Sequence, residues 1–316
     1  MKVIVDTKAG YCAGVRRVVQ MTEMWLNKGY TVYTLGELIH NDKEIERLKK
    51  KGLVTIERDA FENPECLQDM RDKKVVLRAH GESEAFHKRI AELGLDVVNG
   101  TCPIVGRLQL LVKHYYTNGY QIIIVGKKAH PEVVGLMGYC EGTAKVIMDI
   151  EDLLDFNPAK KTVIFAQTTV SQDLLFSIAD ALIKQYPYLY LKAITPQEIK
   201  QSTSVEHASG EVELCDTVCR FVVRRREELR EFLTGIDTLL FVGGKNSSNT
   251  HQLFEFCQKI VPNSHFVEDE HEIYFLWFAA SERIGISGSA STPRWLMENI
   301  RDYLAYKLGA GVPVPA

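Results

Sequence analysis

Three similar apolar segments recur along the chain at domain-sized intervals, and they constrain the fold more than any other feature. Their sequences are TVYTLG, QIIIVG and TLLFVG, and they end at Gly36, Gly126 and Gly243. Each segment is predicted to be a β-strand, and each is followed by a polar loop and an amphipathic helical pattern. Strands that alternate with helices are typical of parallel sheets. A repeat of roughly 100 residues is too long for a solenoid and therefore predicts three similar α/β lobes.

The lobe boundaries follow from this repeat. We predict a first α/β lobe over residues 1–100, a second over residues 101–196, and a third over residues 197–316 with a C-terminal helix and tail. The second boundary lies in the polar stretch AITPQEIKQSTSVEHASGE, which contains turn residues. The final GAGVPVPA is predicted to be a flexible tail. A chain of 316 residues also exceeds the size at which a single core keeps growing.

A cysteine lies 24 residues before each of the three glycines, and each opens the pattern C-x-x-V-x-R. These cysteines are Cys12, Cys102 and Cys219. Each is predicted to begin a helix at the edge of a sheet where ligand-binding residues collect. Three lobes arranged around an axis would direct the three thiols at one central site. Cys215 also fits the short pattern but lies 28 residues before Gly243, so the long spacing selects Cys219.

Three interpretations of these thiols remain open from spacing alone. They could bind a tetrahedral zinc ion with one open position, which would give hydrolytic chemistry. They could instead hold an iron–sulfur cluster that has one iron without a protein ligand. The third interpretation is three unrelated cysteines that begin helices. The sequence contains no C-x-x-C, which excludes the zinc ribbon and the thioredoxin motif. Cys66, Cys140 and Cys257 are predicted to be packing residues.

Polar side chains recur at matched positions after the predicted strands. Four residues after each glycine are His40, His130 and Ser247, and after a later strand in each lobe are His80, Thr168 and Ser291. Hydrogen-bond donors near helix N-termini suit an anion with many oxygens. No G-x-x-x-x-G-K-[ST] occurs, so the chain has no nucleotide P-loop. The stretch KNSSN can alternatively be a polar turn that caps a helix.

Glu132 follows His130 and Pro131 in the sequence AHPEVVG. Proline favours the first position of a helix, which places Glu132 in the first turn, where a negative charge is stabilised. It could therefore be a simple helix-start acid. Alternatively, a carboxylate beside a histidine in an enclosed site can deliver protons.

Composition excludes several classes of protein. The net charge of −3 gives no reason to expect nucleic acid or an anionic membrane as a partner. The longest apolar run, YFLWFAA, is far shorter than the roughly 20 residues that span a bilayer. The opening MKVIVDTKAG is predicted to be a strand and not a signal peptide. We therefore expect a cytoplasmic protein with reduced thiols.

Nine motifs occur in a recognisable order from Cys12 to Pro293: YCAGVRRVV, GELIHN, RAHGE, TCPIV, VGKKAHPEVVGLMG, AQTTVS, DTVC, VGGKNSSN and SASTP. In the order and sequence of these motifs, the chain resembles the 4-hydroxy-3-methylbut-2-enyl diphosphate reductase family, also called LytB. The resemblance implies three lobes around one [4Fe–4S] cluster per chain, held by Cys12, Cys102 and Cys219. It also implies reductive dehydroxylation of an allylic diphosphate to isopentenyl and dimethylallyl diphosphate, the last step of the methylerythritol phosphate pathway. Because no nucleotide-binding fingerprint is present, ferredoxin or flavodoxin is the implied electron donor.

The resemblance further implies roles for individual residues. Contacts to the diphosphate and hydroxyl of the substrate fall on His40, His80, His130, Ser247, Ser248, Asn249 and Ser291. Thr168 matches a threonine near the substrate hydroxyl, and Glu132 matches the acid that supplies protons.

Several positions depart from the family pattern: Asn99, Gly100, Arg220 to Val222, Arg78 and Ser289. These departures leave open a diverged paralogue that acts on a related substrate or keeps the cluster as a redox sensor. A zinc hydrolase or lyase that uses the same thiolates is the further alternative.

Overall fold

The computed structural model describes residues 1–158, 161–194 and 210–309. Its strands are β1 (Lys2–Val5), β2 (Val32–Leu35), β3 (Leu53–Ile56), β4 (Lys74–Leu77), β5 (Asp96–Asn99), β6 (Gln121–Val125), β7 (Lys145–Ile147), β8 (Thr162–Ala166), β9 (Tyr190–Ile194), β10 (Glu211–Cys215), β11 (Thr238–Val242), β12 (Ser264–Val267) and β13 (Arg283–Gly288). Its α-helices are α1 (Ala13–Asn27), α2 (Asp42–Lys49), α3 (Pro64–Met70), α4 (Glu84–Glu92), α5 (Pro103–Thr117), α6 (Pro131–Met137), α7 (Gln172–Gln185), α8 (Arg220–Phe232), α9 (Ser248–Gln258) and α10 (Arg294–Leu308). The predicted boundary at residues 196 and 197 and the predicted tail over residues 310–316 lie outside the described residues.

Two compact units make up the chain. The first contains residues 1–78 and continues from residue 224 onward, and the second contains residues 79–223. Strands alternate with helices, and each strand pairing that the structure describes is parallel, which confirms the predicted α/β class. The boundaries of the three predicted lobes stay predictions. Among the described residues, no helix combines the length and hydropathy needed to cross a bilayer.

The first unit contains two parallel sheets. One has the strand order β1-β13-β11-β12, and in the other β2 pairs with β3 on one side and with β4 on the other. Helix α10 packs on the former sheet and buries Leu296, Met297, Ile300 and Leu304 against its strands. These residues recur every three or four positions, so they form one apolar helix face.

The second unit contains a sheet with the strand order β7-β6-β8-β10-β9. All five residues of β8 are buried, as expected for a central parallel strand that is covered on both faces. Alternate residues of β6 belong to two different core clusters. Ile122 and Ile124 pack with residues of α5 and α6, whereas Ile123 and Val125 pack with residues of α7.

The repeated segments are strands, as predicted. β2, β6 and β11 end one residue before Gly36, Gly126 and Gly243. Helices α1, α5 and α8 begin one residue after Cys12, Cys102 and Cys219, so each of these cysteines lies at a helix N-terminus. The fold therefore repeats the arrangement of cysteine, helix, strand and glycine three times.

A buried ion pair fastens α8 to the sheet of β1 and β13 in the first unit. Arg225 and Asp6 are 1% and 3% exposed, and the Nη2 and Oδ2 atoms are 2.6 Å apart. Arg225 Nη2 also donates to Ser287 Oγ at 2.6 Å, and Ser287 Oγ donates to Asp6 Oδ2 at 2.9 Å. Arg225 Nε donates to the carbonyl oxygen of Gly288. A buried carboxylate depends on such a network because it has no access to water.

We expect Arg225→Met to lower the free energy of unfolding by about 3–5 kcal/mol, because Asp6 would stay buried without its cation. Urea unfolding of the metal-free protein measures this change. The matched control is Arg224→Met, since Arg224 is exposed and pairs with Glu228 at the surface. Its expected cost is within about 0.5 kcal/mol. Equal costs for the two variants would contradict the role assigned to the buried pair.

Candidate active site

Cys12 occupies the N-cap of α1 in the first unit. Its Sγ accepts from Val15 N at 3.5 Å, and its own N–H donates to the carbonyl oxygen of Ala290 at 3.1 Å. The thiol is half-buried. The loop that carries Cys12 is therefore joined to the loop after β13, where Ser291 lies. A thiolate at a helix N-terminus is stabilised by the dipole and by the first N–H groups.

His40 lies one residue before the N-cap of α2. The N-cap itself is Asn41, whose Oδ1 accepts from Glu44 N at 3.0 Å. His40 therefore lies just outside the helix, because the stronger capping residue, asparagine, occupies the N-cap. His40 Nδ1 lies 3.6 Å from Glu37 Oε2, and this neighbouring imidazole is the main cause of the lowered pKa of Glu37.

The loop after β13 and the start of α9 both adjoin His40. Ser291 Oγ donates to the carbonyl oxygen of His40 at 3.2 Å. A Cβ on Gly244 would lie only 2.6 Å from the same oxygen, so only glycine permits this approach. Ser247 is the N-cap of α9, and its Oγ accepts from Thr250 N at 3.3 Å. His40, Ser247 and Ser291 therefore come together within the first unit.

Asn249 adds a buried amide to this group. It lies in the first turn of α9 and is 8% exposed, and its Oδ1 has no hydrogen-bond partner among the described residues. Buried polar atoms in proteins are nearly always paired, so an unpaired one is suited to a ligand. Ser248 begins α9. Its side chain lies outside the described part of the structure, so its predicted contact with the substrate stays a prediction.

Cys102 and Cys219 lie near each other in the second unit. The N–H of Cys102 donates to the carbonyl oxygen of Ala79 at 3.0 Å, and the N–H of Cys219 donates to the carbonyl oxygen of Thr168 at 2.8 Å. Burial chiefly raises the pKa of the Cys219 thiol, and the nearby Cys102 and Glu132 raise it further. Such a thiol is a weak nucleophile at neutral pH, whereas a metal would displace its proton outright.

The loop before Cys219 is held against β8 by Thr217. Its Oγ1 accepts from Ala166 N at 2.8 Å and donates to the carbonyl oxygen of Ala166 at 2.7 Å. The Thr217 hydroxyl thus makes both backbone hydrogen bonds of Ala166 that a neighbouring strand would otherwise make. Cys215 ends β10 and is fully buried in the core, unlike the half-buried Cys219.

Three of the four remaining cysteines are more buried than the three helix-start cysteines. Cys140, Cys215 and Cys257 are buried, and Cys66 is half-buried. All seven cysteines lie in the described part of the chain, and none of them forms a disulfide there. Cys12, Cys102 and Cys219 therefore share half-burial with a position at a helix N-terminus.

Two histidines face each other in the second unit. His80 follows β4, and His130 is the N-cap of α6, with its Nδ1 accepting from Glu132 N at 3.1 Å. Their rings form an edge-to-face pair with centroids 5.4 Å apart. Because Nδ1 of His130 is an acceptor, the neutral ring carries its proton on Nε2. That nitrogen can donate to an anion.

Glu132 and Thr168 form a buried pair in the same unit. Glu132 is 1% exposed, its Oε1 accepts from Thr168 N at 2.7 Å, and its Oε2 accepts from Thr168 Oγ1 at 2.7 Å. Burial raises the pKa of Glu132 to about 7, although the two hydrogen bonds from Thr168 oppose this shift. A carboxyl group with this pKa can hold and release a proton near neutral pH. This burial favours the functional interpretation over a simple helix-start acid.

Glu44 supports the site in the first unit and was missed from the sequence. It is fully buried, and its carboxylate accepts from Trp295 Nε1 at 2.8 Å and from two nitrogens of Arg47. It thereby joins α2 to α10. The spacing of Asn41 and Glu44 matches an N-terminal capping pattern, which was the available signal.

Two departures from the family pattern lie close to the site. Ser289 is fully buried, and its hydroxyl lies 2.7 Å from Thr250 Oγ1 and 3.3 Å from Ser291 Oγ. Arg78 packs over Gly36, where a Cβ would lie 2.7 Å from its Nη1. Ser289 adds a buried hydroxyl next to Ser291, one of the predicted substrate contacts, and replaces none of these contacts.

The chain is similar to known proteins in both sequence and fold. Residues 3–305 match the family model described as LytB protein. A protein of Bacteroides thetaiotaomicron named 4-hydroxy-3-methylbut-2-enyl diphosphate reductase is 38% identical over 309 residues, which cover 96% of this chain and 98% of that protein. A solved (E)-4-hydroxy-3-methyl-but-2-enyl diphosphate reductase, the terminal enzyme of the non-mevalonate pathway, is 30% identical with a TM-score of 0.67 over 97% of this chain and 100% of its own. The Plasmodium falciparum E-1-hydroxy-2-methyl-but-2-enyl-4-diphosphate reductase, at 23% identity, shares the fold with a TM-score of 0.78 over 96% of this chain and 88% of its own.

Proposed function

Because the chain belongs to the LytB protein family, we propose that it is an iron–sulfur oxidoreductase that acts on 4-hydroxy-3-methylbut-2-enyl diphosphate. It removes the hydroxyl group by reduction and yields isopentenyl and dimethylallyl diphosphate. The buried pair of Glu132 and Thr168 carries this proposal most directly, because the departing hydroxyl needs a proton and this carboxyl group is shielded from bulk solvent.

Cys12, Cys102 and Cys219 are the proposed ligands of one [4Fe–4S] cluster per chain. Their thiols lie at helix N-termini and are half-buried, and the pKa of Cys219 is raised, so they suit a metal centre better than nucleophilic catalysis. When bound, a cluster with three thiolate ligands supplies electrons and leaves one iron open to substrate.

The diphosphate is proposed to contact His40, His80, His130, Ser247, Ser248, Asn249 and Ser291. His130 presents a donor nitrogen because its Nδ1 is occupied by the N–H of Glu132. Ser247 and Asn249 lie at the N-terminus of α9, where N–H groups and the helix dipole favour an anion. Ser291 is held beside His40 by its hydrogen bond to the His40 carbonyl oxygen.

Proton delivery is assigned to Glu132 with Thr168. The Thr168 hydroxyl donates to Glu132 Oε2 when the carboxylate is charged, and a protonated Glu132 can return a proton through the same hydroxyl. Burial excludes bulk water from this path and keeps the proton available near neutral pH.

The electrons are proposed to come from ferredoxin or flavodoxin, and the location is proposed to be the cytoplasm. The family resemblance implies such a donor, and no nucleotide-binding fingerprint in the sequence points to a bound redox nucleotide instead. Seven cysteines without a disulfide suit a reducing compartment.

Anaerobic reconstitution followed by an assay for both five-carbon products tests the proposal. With dithionite and methyl viologen as reductant, we expect both products from protein that contains iron and inorganic sulfide. Stoichiometric zinc in active protein would instead indicate the hydrolase or lyase alternative. Cluster-loaded protein that forms neither product would indicate a paralogue with another substrate or a redox sensor.

A further inference from the structure

A pocket of about 480 Å³ lies in the second unit, and none of the proposed substrate contacts lines it. It is lined by α5, by the last residue of β9, and by the loop from β10 to the first residue of α8. Cys219 forms part of its wall, and so does Pro103, the residue after Cys102. An occupant of this pocket would therefore contact one proposed cluster ligand, Cys219, and the residue next to a second, Cys102.

The lining of the pocket combines apolar and cationic groups. Ile104, Leu108 and Leu111 lie on one face of α5, and Ile104 is 46% exposed. Arg107 and Arg220 add two guanidinium groups. The surface therefore offers an apolar centre with positive charge beside it, which is a common composition for a protein interface.

Asp216 is the one acidic residue in the lining, and its carboxylate is engaged within the chain. Oδ1 accepts from Val218 N at 3.1 Å, and Oδ2 accepts from Gln172 Nε2. The Asp216 carboxylate thus stabilises the loop before Cys219 through these two hydrogen bonds. The two arginines outnumber it, so the pocket is complementary to an acidic partner.

We propose that this pocket docks a small acidic electron-carrier protein that places an apolar side chain against Ile104 and Leu108. The proposal rests on the reductase function proposed above and adds the place where electrons enter. Each product needs two electrons and two protons: the carbon–oxygen bond breaks, the hydroxyl leaves as water, and one carbon–hydrogen bond forms. A one-electron carrier docks twice for each product and leaves oxidised each time.

Negative charge introduced into the pocket tests the proposal in the cluster-loaded enzyme. The variants are Ile104→Glu and Arg107→Glu, and the matched control is Leu110→Glu, which alters a 65% exposed leucine of α5 that does not line the pocket. With reduced [2Fe–2S] ferredoxin as donor, we expect KM for ferredoxin to rise at least about tenfold in both pocket variants. With dithionite-reduced methyl viologen, we expect all three variants to match the unsubstituted protein.

An unchanged KM for ferredoxin in both pocket variants would overturn the proposal, and so would an equal rise in Leu110→Glu. For a variant that loses activity with both donors, calorimetric titration measures its affinity for ferredoxin directly. Weakened binding relative to Leu110→Glu supports the docking site, and retained binding overturns it. Unsubstituted protein that is inactive with methyl viologen counts against the reductase function, while the binding measurement still tests the docking site.

Discussion

Replacing Glu132 by glutamine is expected to lower turnover by about 10² to 10⁴-fold, the usual contribution of a positioned acid. An amide has nearly the shape of the carboxyl group and can still accept from Thr168 N, but it has no proton to give. Turnover with methyl viologen and the yield of both products measure the effect. Iron and sulfide content should be unchanged, because Glu132 is not a proposed ligand.

The pH profile separates a proton-donating role from a structural one. Burial raises the pKa of Glu132 to about 7, so its protonated form is depleted as the pH rises through this value. We expect turnover of the unsubstituted protein to fall over this range. The residual rate of Glu132→Gln should lack this fall. An identical profile in both proteins would contradict the role assigned to Glu132.

The raised pKa also makes stability depend on pH in the metal-free protein. Folding favours protonated Glu132, because its pKa rises from 4.5 to about 7 in the folded state. This contribution is complete below pH 4.5 and is lost as the pH rises through about 7, at a cost of about 3 kcal/mol. Glu132→Gln should remove this dependence. Thr168→Val should shift it to higher pH, because the Thr168 hydroxyl favours the charged carboxylate.

The periodic features of the fold could be predicted from the sequence because they depend on local patterns. The apolar runs before Gly36, Gly126 and Gly243 fixed the positions of β2, β6 and β11. The cysteines lie at the starts of helices because the pattern after each is amphipathic and helical. The equal spacing could also distinguish Cys219 from Cys215, which the short pattern alone could not do.

Burial and long-range pairing could not be predicted in this way. Asp6 and Arg225 are far apart in sequence, and RRREEL indicates a solvated helix face, so nothing local marks Arg225 as buried. The first-turn position of Glu132 suits an exposed acid equally well. Only the packing of α6 beside the end of β8 removes it from water and supplies the hydrogen bonds from Thr168. The raised pKa is a property of that packing.

Cys219→Ser is expected to lose most of its iron and sulfide, and with them nearly all activity, whereas Cys215→Ser should keep both. The difference follows from where the two thiols lie. Cys219 is half-buried at the start of α8 near Cys102, and Cys215 is fully buried at the end of β10. A serine hydroxyl at position 219 is a poor substitute for a thiolate, because soft sulfur ligands are what iron–sulfur clusters require. Iron and sulfide analysis and the visible absorption of anaerobically reconstituted protein measure the result.

Cys257→Ser is the matched control, because Cys257 is a buried cysteine in the core of the other unit. It measures what a hydroxyl costs in a buried apolar position without any change near the proposed ligands. Cys215→Ser should resemble it, with lowered stability and a full complement of iron, because its cost is the burial of a polar group. A cluster that survives Cys219→Ser and is lost in Cys215→Ser would reverse the assignment. The ligand would then be the cysteine that the core encloses, and the end of β10 would have to leave the core to expose it.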